Sequence, residues 1–494
     1  MDVALGNRYR QGSQERRGAL APSPMPSSFA RSMLFLLLVA CRTHEVPHHD
    51  PDDPDDPVVE ETPPSPTFPD ASAAGSEPDG VGAFTFTGVR PRNLLMISID
   101  TTRRDMFTRY RSDAGPLPFL DGLMAEGVVL DHHASCSAWT LPGAMCALTG
   151  NRPDQLGLLP RVDGTDDLQR LPADSPTFSS RLADLGYRTF LLQSNLYFDE
   201  SYLAGEYEYS GGGNEDAAAM VTDALRIIGD SGIGDGDPWM FHLHLSDPHS
   251  PYAPPMAYRS ALADRPRLDW DLTTSDGSRE VSEAWDELDA KTRDEVLAQL
   301  QILYEGELSY VDDQLARLLG VMDNAGLLDD TLVLVWTDHG EQMFEHGSLG
   351  HGGSLFAQEN DGVAFWWARG LEPAAVSDLT TNEDLLPTTF FALGLPAPEG
   401  VTGLVAGIPS NRIRLAYLWP SEEVPVLSAQ SGSDQLYYTF AGRTWLFDRD
   451  TDPEQQSDRY DPTDPVVAEL WDALLPVVGD VAALSGEEPL GAGR

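Results

Sequence analysis

Apolar and polar positions fall into alternating blocks along most of the chain. Asn93–Ile99 reads NLLMISI, an apolar run bounded by turn residues, which predicts a strand buried on both faces. Similar runs recur at residues 189–192, Trp239–Leu245, 332–336 and 363–367, and helix-like stretches such as 178–185 and 296–322 separate them. This alternation predicts an α/β fold with a mostly parallel sheet flanked by helices, covering residues 91–408. Beyond about residue 409 the pattern shortens. Segments at 415–419, 435–440 and 443–447 predict a small C-terminal antiparallel subdomain over 409–494.

The first ninety residues lack this pattern. A brief apolar run at 33–39 follows Arg31 and ends in Leu38-Val39-Ala40-Cys41, too short to span a bilayer. The charged start, short apolar stretch and small residue before a cysteine resemble a bacterial lipoprotein signal peptide over 25–41. That resemblance implies cleavage before Cys41, lipidation of its thiol, and an exported protein that meets the membrane only through its lipid anchor. Residues 1–24 read as an extension ahead of a start at Met25. Residues 42–90 are rich in Pro, Asp, Glu, Ser and Ala and predict an extended, acidic, disordered tether.

Composition changes the picture mainly through charge. The 494 residues carry 32 Lys plus Arg against 79 Asp plus Glu, a net charge of -47, which excludes a nucleic-acid binder because nothing offsets repulsion from phosphates. Lys291 is the single lysine, so chemistry that elsewhere leans on lysine falls to Arg or His. Three cysteines exclude a disulfide scaffold and a cysteine-only zinc array.

In open parallel sheets, ligands bind beyond the carboxyl ends of the strands. The residues there are Asp100 after the first strand, Asn195 after the second, Asp247 and His249 after the third, and Asp338 with His339 after the fourth. Singly, each has a plain structural role as a helix cap or a turn residue. Together, two carboxylates and an imidazole arriving from separate strand ends suggest a divalent-cation site with an open position. Thr140 lies just before a proline-started helix, where free backbone N–H groups meet anions; it reads either as an N-cap or as a hydroxyl that a neighbouring cation would activate.

These segments resemble the sulfatase family of the alkaline-phosphatase superfamily, over about residues 92–458. Asn93 through Asp105 is similar to the family's first metal-binding strand, with Asp100 at the ligand position. Trp139-Thr140-Leu141-Pro142 followed by Leu148-Thr149-Gly150 resembles the nucleophile segment, with Thr140 at the catalytic position. Asp247-Pro248-His249-Ser250-Pro251-Tyr252 resembles the segment whose histidine meets the substrate, and Thr337-Asp338-His339-Gly340-Glu341 resembles the second metal segment. His351, thirteen residues after Asp338, occupies the place of a lysine or histidine near the leaving group.

The departures bear on the chemistry. The family signature reads Cys or Ser, any residue, Pro, Ser, Arg, whereas this chain has Thr140, Leu141, Pro142, Gly143 and Ala144. Threonine is no substrate for the maturation that yields formylglycine, so none is expected. The resemblance therefore implies one divalent ion (Ca, Mn, Zn or Mg) held by Asp100, Thr140, Asp338 and His339. Thr140 is expected to attack the ester, with His351 or His249 protonating the departing alcohol and Asn195, His249 and His351 meeting the ester oxygens. A second cation would need Asp247, His249 and His351 to converge. The favoured function is hydrolysis or transfer of phosphate mono- or diesters, on small or lipid-linked anionic substrates. A sulfatase proper and an inactive anion-binding lipoprotein are the alternatives. His242 and His244 read as satisfied core residues, and the pairing of Cys136 with Cys146, like the oligomeric state, is left open.

Overall fold

Strand β1 (Asn93–Ile99) lies inside an eight-stranded sheet of the computed structural model with all seven residues buried, as its unbroken apolar run requires. The structure describes residues 82–157, 170–200, 202–213, 215–419, 424–486 and 488–492. The next strands are β2 (Val128–Ala134), β3 (Arg188–Gln193), β4 (Tyr209–Gly212), β5 (Trp239–Leu245), β6 (Thr331–Thr337), the short pair β7 (Gln342–Met343) and β8 (Leu349–Gly350), β9 (Ala364–Trp367) and β10 (Ala374–Thr381). The sheet order is β10-β2-β9-β6-β1-β5-β3-β4. Its pairs are parallel except at β9, which runs antiparallel to both β2 and β6. The run expected at 363–367 is thus a strand, but a reversed one. A parallel return would need a packed crossover, and the chain from β6 to β9 supplies only a hairpin and one helical turn.

Helices cover both faces: α1 (Pro118–Ala125), α2 (Thr140–Thr149), α3 (Phe178–Asp184), α4 (Ala217–Ser231), α5 (Ser275–Ala284), α6 (Ala290–Asn324), α7 (Ala357–Asn360) and α8 (Leu385–Leu393). Leu95, Ile97 and Ile99 of β1 share one apolar layer with α4 and α6, whereas Leu94 and Met96 face the layer containing α2, α3 and α8. The period-two alternation of β1 divides the core in this way.

Four antiparallel strands follow in chain order: β11 (Arg414–Leu418), β12 (Val426–Ser431), β13 (Asp434–Thr439) and β14 (Thr444–Asp448). A final helix, α9 (Pro465–Ser485), packs Val467, Leu470, Trp471 and Leu474 over them. This sheet is tied to the main one. Tyr417 N–H donates to the Cys136 carbonyl, Arg414 Nη1 donates to the His132 carbonyl, and Arg449 and Arg104 both reach the buried Asp361 carboxylate, at 2.7 and 2.8 Å.

The boundary of the domain differs from expectation. Phe84 is buried edge-on against Trp366 and Phe86 bridges to Leu371, so residues 82–90 belong to the folded domain rather than to a tether. Two aromatic side chains there bury enough surface to order the backbone. The signal segment, Cys41 and the rest of the tether lie outside the described residues. Among the described residues, no helix is long and apolar enough to cross a membrane.

Candidate active site

Strand register gathers the site. Ile99 pairs with Leu245 on one side and Thr337 on the other, so β1, β5 and β6 end flush and deliver Asp100 and Asp338-His339 to one place. Thr140 opens α2, but the N-cap is Trp139 and no side chain caps the helix. The plain capping role is therefore corrected: the Thr140 hydroxyl is aimed elsewhere. Its Oγ1 lies 3.4 Å from His339 Nε2, which is in turn 3.5 Å from Asp100 Oδ1 and 3.6 Å from Asp338 Oδ2.

Each of the two carboxylates has one oxygen held and one free. Asp338 Oδ1 accepts from the N–H of Thr101 and of His339, and Asp100 Oδ2 accepts from Asn195 Nδ2 at 2.8 Å. Asp338 Oδ2 and Asp100 Oδ1 are buried without a hydrogen-bond partner. His339 Nδ1–H donates to the Gly340 carbonyl at 2.8 Å, which leaves the Nε2 lone pair facing those same oxygens. Burial pushes the Asp338 carboxyl well above its ordinary range, and the Asp100 charge adds to that push. Burial holds the His339 imidazole down at about 3. Two orphaned carboxylate oxygens and a bare imidazole nitrogen, with donor atoms within 4.8 Å of one another, repel unless a cation lies among them; the residues fit a divalent ion.

The histidines beside this cluster lie close together. The His351 ring lies 4.4 Å from that of His339 and 5.0 Å from that of His249. The buried Glu341 carboxylate accepts from His351 Nδ1 at 3.0 Å. Burial disfavours charge on His351, yet the Glu341 carboxylate outweighs it and raises the imidazole to about 9. His249 Nδ1 donates to the Ser250 carbonyl.

Two expected contributors are engaged by neighbouring groups. Asn195 donates to Asp100 through Nδ2 and accepts from Tyr197 N–H through Oδ1, so one of its two amide protons orients a carboxylate. Asp247 Oδ2 accepts from Ala217 N–H at the start of α4, and burial raises its carboxyl to about 6. Asp247 is thus engaged at a helix end, and the group among the described residues that could hold a metal is Asp100, Asp338 and His339. Arg103, close by in sequence, is bidentate to Asp105 and also bonds Glu345, so its charge is directed away from an ester.

The reading of His242 and His244 as fully satisfied core is also corrected. Both are buried, but His242 Nδ1 and His244 Nε2 have no hydrogen-bond partner, and the latter lies 3.7 Å from Asp100 Oδ2. Polar residues on one face of fully buried strands were the available signal. Cys136 and Cys146, on either side of Thr140, form a disulfide.

Gly143 explains one departure from the sulfatase signature. A Cβ there would stand 2.8 Å from the Asp338 carbonyl oxygen, so α2 approaches the end of β6 more closely than a serine at this position allows. Gly143→Ala is expected to cost about 1–3 kcal/mol through overpacking, read as a lower denaturant midpoint with unchanged slope.

Comparison with known proteins agrees with this geometry. The family model described as Sulfatase matches residues 92–395. Choline-sulfatase of Rhizobium meliloti (strain 1021) is 22% identical over 231 residues, 44% of this chain and 45% of that protein. The multifunctional alkaline phosphatase superfamily protein PehA of Trinickia caryophylli is 23% identical over 338 residues, 52% of this chain and 65% of that one. The chain thus spans about half to two thirds of these relatives' lengths. The phosphonate monoester hydrolase of Silicibacter pomeroyi superimposes with a TM-score of 0.59 at 18% identity, covering 81% of this chain and 96% of that one. With the Sulfatase match extending over more than half of its length and along every strand that carries a candidate ligand, the chain belongs to the sulfatase family.

Proposed function

We propose that the protein hydrolyses phosphate mono- or diesters, using Thr140 as nucleophile. The observation that carries this reading is the uncapped Thr140 hydroxyl, held 3.4 Å from His339 Nε2 at the edge of the cation-fitting cluster. A divalent ion bound by Asp100, Asp338, His339 and Thr140 would lower the hydroxyl's pKa and polarise an ester oxygen; mixed carboxylate and imidazole donors favour Zn or Mn over Ca or Mg.

The chain's own groups do the remainder. Thr140, having lost its hydroxyl proton to solvent as the lowered pKa permits, attacks as the alkoxide: its Oγ forms a bond to phosphorus as the bond to the leaving oxygen breaks, and the departing oxygen takes its proton from His351. The backbone N–H groups of Thr140 and Leu141, at the start of α2, would meet the ester oxygens. Water then attacks phosphorus, releases Thr140, and gives its proton to the imidazole that has just lost one. Phosphorus is favoured over sulfur because a sulfated threonine lacks the collapse by which a hydrated aldehyde expels sulfate. The fold-level likeness to a phosphonate monoester hydrolase and the similarity to a multifunctional relative support the same choice.

We place this enzyme outside the cytoplasm on a lipid anchor at Cys41, a reading with which the Cys136–Cys146 disulfide is compatible. The test is turnover of nitrophenyl phosphate diester, monoester and sulfate by one metal-loaded preparation, with each product followed by absorbance. Phosphate esters should be preferred by at least tenfold in kcat/KM, about 1.4 kcal/mol in transition-state stabilisation. Preference for the sulfate would reverse the assignment, and bound metal with no turnover of any ester would favour an anion-binding role.

A further inference from the structure

Behind Asp100, on the side away from the other ligands, lies a buried line of polar groups that the proposed reaction does not use. Ser98 on β1 stands opposite His244 on β5, and Met96 opposite His242, so Ser98, His242 and His244 share one face of two paired central strands. Ser98 Oγ is 2.9 Å from His242 Nε2 and 2.9 Å from His244 Nδ1. Beyond it, His244 Nε2 faces Asp100 Oδ2 at 3.7 Å, longer than a hydrogen bond but close enough for a ring dipole to act on the carboxylate in a dry interior. The rings are locked: Phe198 stacks on His244 with centroids 3.7 Å apart and meets His242 edge-on, and Trp336 packs on His242 as well.

The hydrogen-bond directions follow from counting protons. With one N–H on each imidazole and a single proton on Ser98 to give, two orders are possible. If Ser98 donated to His242, then His244 Nδ1–H would donate to Ser98 and leave its bare Nε2 lone pair facing a carboxylate. His242 would also carry an orphaned Nδ1–H in the core. The opposite order removes both faults. His242 Nε2–H donates to Ser98, Ser98 donates to His244 Nδ1, and His244 Nε2–H points at Asp100 Oδ2; the only nitrogen left over is an acceptor, His242 Nδ1.

We infer that His242, Ser98 and His244 form a one-directional relay that fixes the orientation of the Asp100 carboxylate, so that its Oδ1 is presented to a divalent cation. Asn195 Nδ2 holds the same outer oxygen at 2.8 Å, and the two donors together leave Oδ1 as the oxygen turned toward His339. His244 is a positioning residue in this arrangement and not a ligand. The inference rests on the cation site of the proposed function.

The test measures dissociation constants of Zn²⁺ and of Mn²⁺ by chelator competition on the metal-free full chain, beside its melting temperature. His244→Phe keeps a ring against Phe198 but removes the donor; it should weaken both metals about 10- to 100-fold, the usual effect of losing a group that orients a ligand. His244→Gln, which restores an N–H, should recover part of that loss. Ser98→Ala should weaken binding severalfold in the natural background and have no further effect beside His244→Phe, because Ser98 acts only through His244. Metal-free melting temperatures should not follow the metal affinities. If His244→Phe fails to fold, Ser98→Ala and the double variant Ser98→Ala/His244→Gln carry the same cycle. Independent, multiplying effects of Ser98 and His244 would overturn the relay and leave the cation site standing, as would unchanged affinity in His244→Phe. Failure of the natural chain to bind either metal would overturn both.

Discussion

Thr140→Ala is expected to lower turnover of phosphate esters on the order of a thousandfold or more while the bound metal stays in place. The metal is retained because Asp100, Asp338 and His339 keep their donor atoms, and a methyl group at position 140 disturbs none of the hydrogen bonds that orient them. The rate is lost because only a water molecule remains to attack, without the alignment that α2 gives the hydroxyl. Thr140→Ser keeps the oxygen at the same place and should retain most of the activity. Metal content per chain, steady-state rates and mass spectrometry of acid-quenched samples together decide the matter: the natural chain should carry a phosphoryl group on Thr140, and the alanine variant none. Undiminished turnover in Thr140→Ala would sink the nucleophile assignment outright.

His351→Gln is expected to slow hydrolysis of alkyl phosphate esters about 10²–10⁴-fold and that of nitrophenyl esters much less, because an alkoxide needs a proton as it departs and a nitrophenolate does not. Glu341 raises the His351 imidazole to about 9 against the effect of burial, so the acid is charged and ready at neutral pH. Activity toward alkyl esters should therefore fall as pH rises through about 9, and His351→Gln should lack that fall. The sign for stability is the same. A histidine raised in the folded state contributes fully below its unfolded pKa of roughly 6.5, and the contribution disappears as pH climbs to the folded value. A pH–rate profile for an alkyl and a nitrophenyl ester, on both proteins, separates a proton donor from a residue that merely shapes the cleft.

The parts of the molecule that were readable in sequence are those where local pattern and burial coincide. β1 and β5 keep their expected bounds because seven consecutive buried residues leave no exposed position to blur the ends. β2 escaped notice because Asp131 and His132 interrupt it, and β12 because Ser428 and Gln430 are buried in it as polar residues. Pro476 disguises α9. Asp100, Asp338, His339 and Thr140 could be named because each follows a strand or begins a helix, positions fixed by chain order alone. The pairing of Glu341 with His351 was hidden because it depends on how a loop folds back between β7 and β8. The contact of His244 with Asp100 was hidden because it depends on strand register, and the contacts of Asn195 and Asp247 were hidden because their turns aim them at a neighbouring carboxylate and at backbone.

The flush ends of β1 and β6 also set an order of events during folding. Asp100 and Asp338 are held together by a hydrogen bond spanning 237 positions of chain, from Thr101 N–H to Asp338 Oδ1. Contacts between such distant segments close late and slowly, because the loop entropy must be overcome before they contribute. A growing chain therefore offers only isolated single donors until β6 has been made and has docked, and tight metal uptake becomes a reporter of completed sheet assembly. Added during refolding, the ion should be captured in the last kinetic phase and lock the finished domain, with little influence on the earlier collapse.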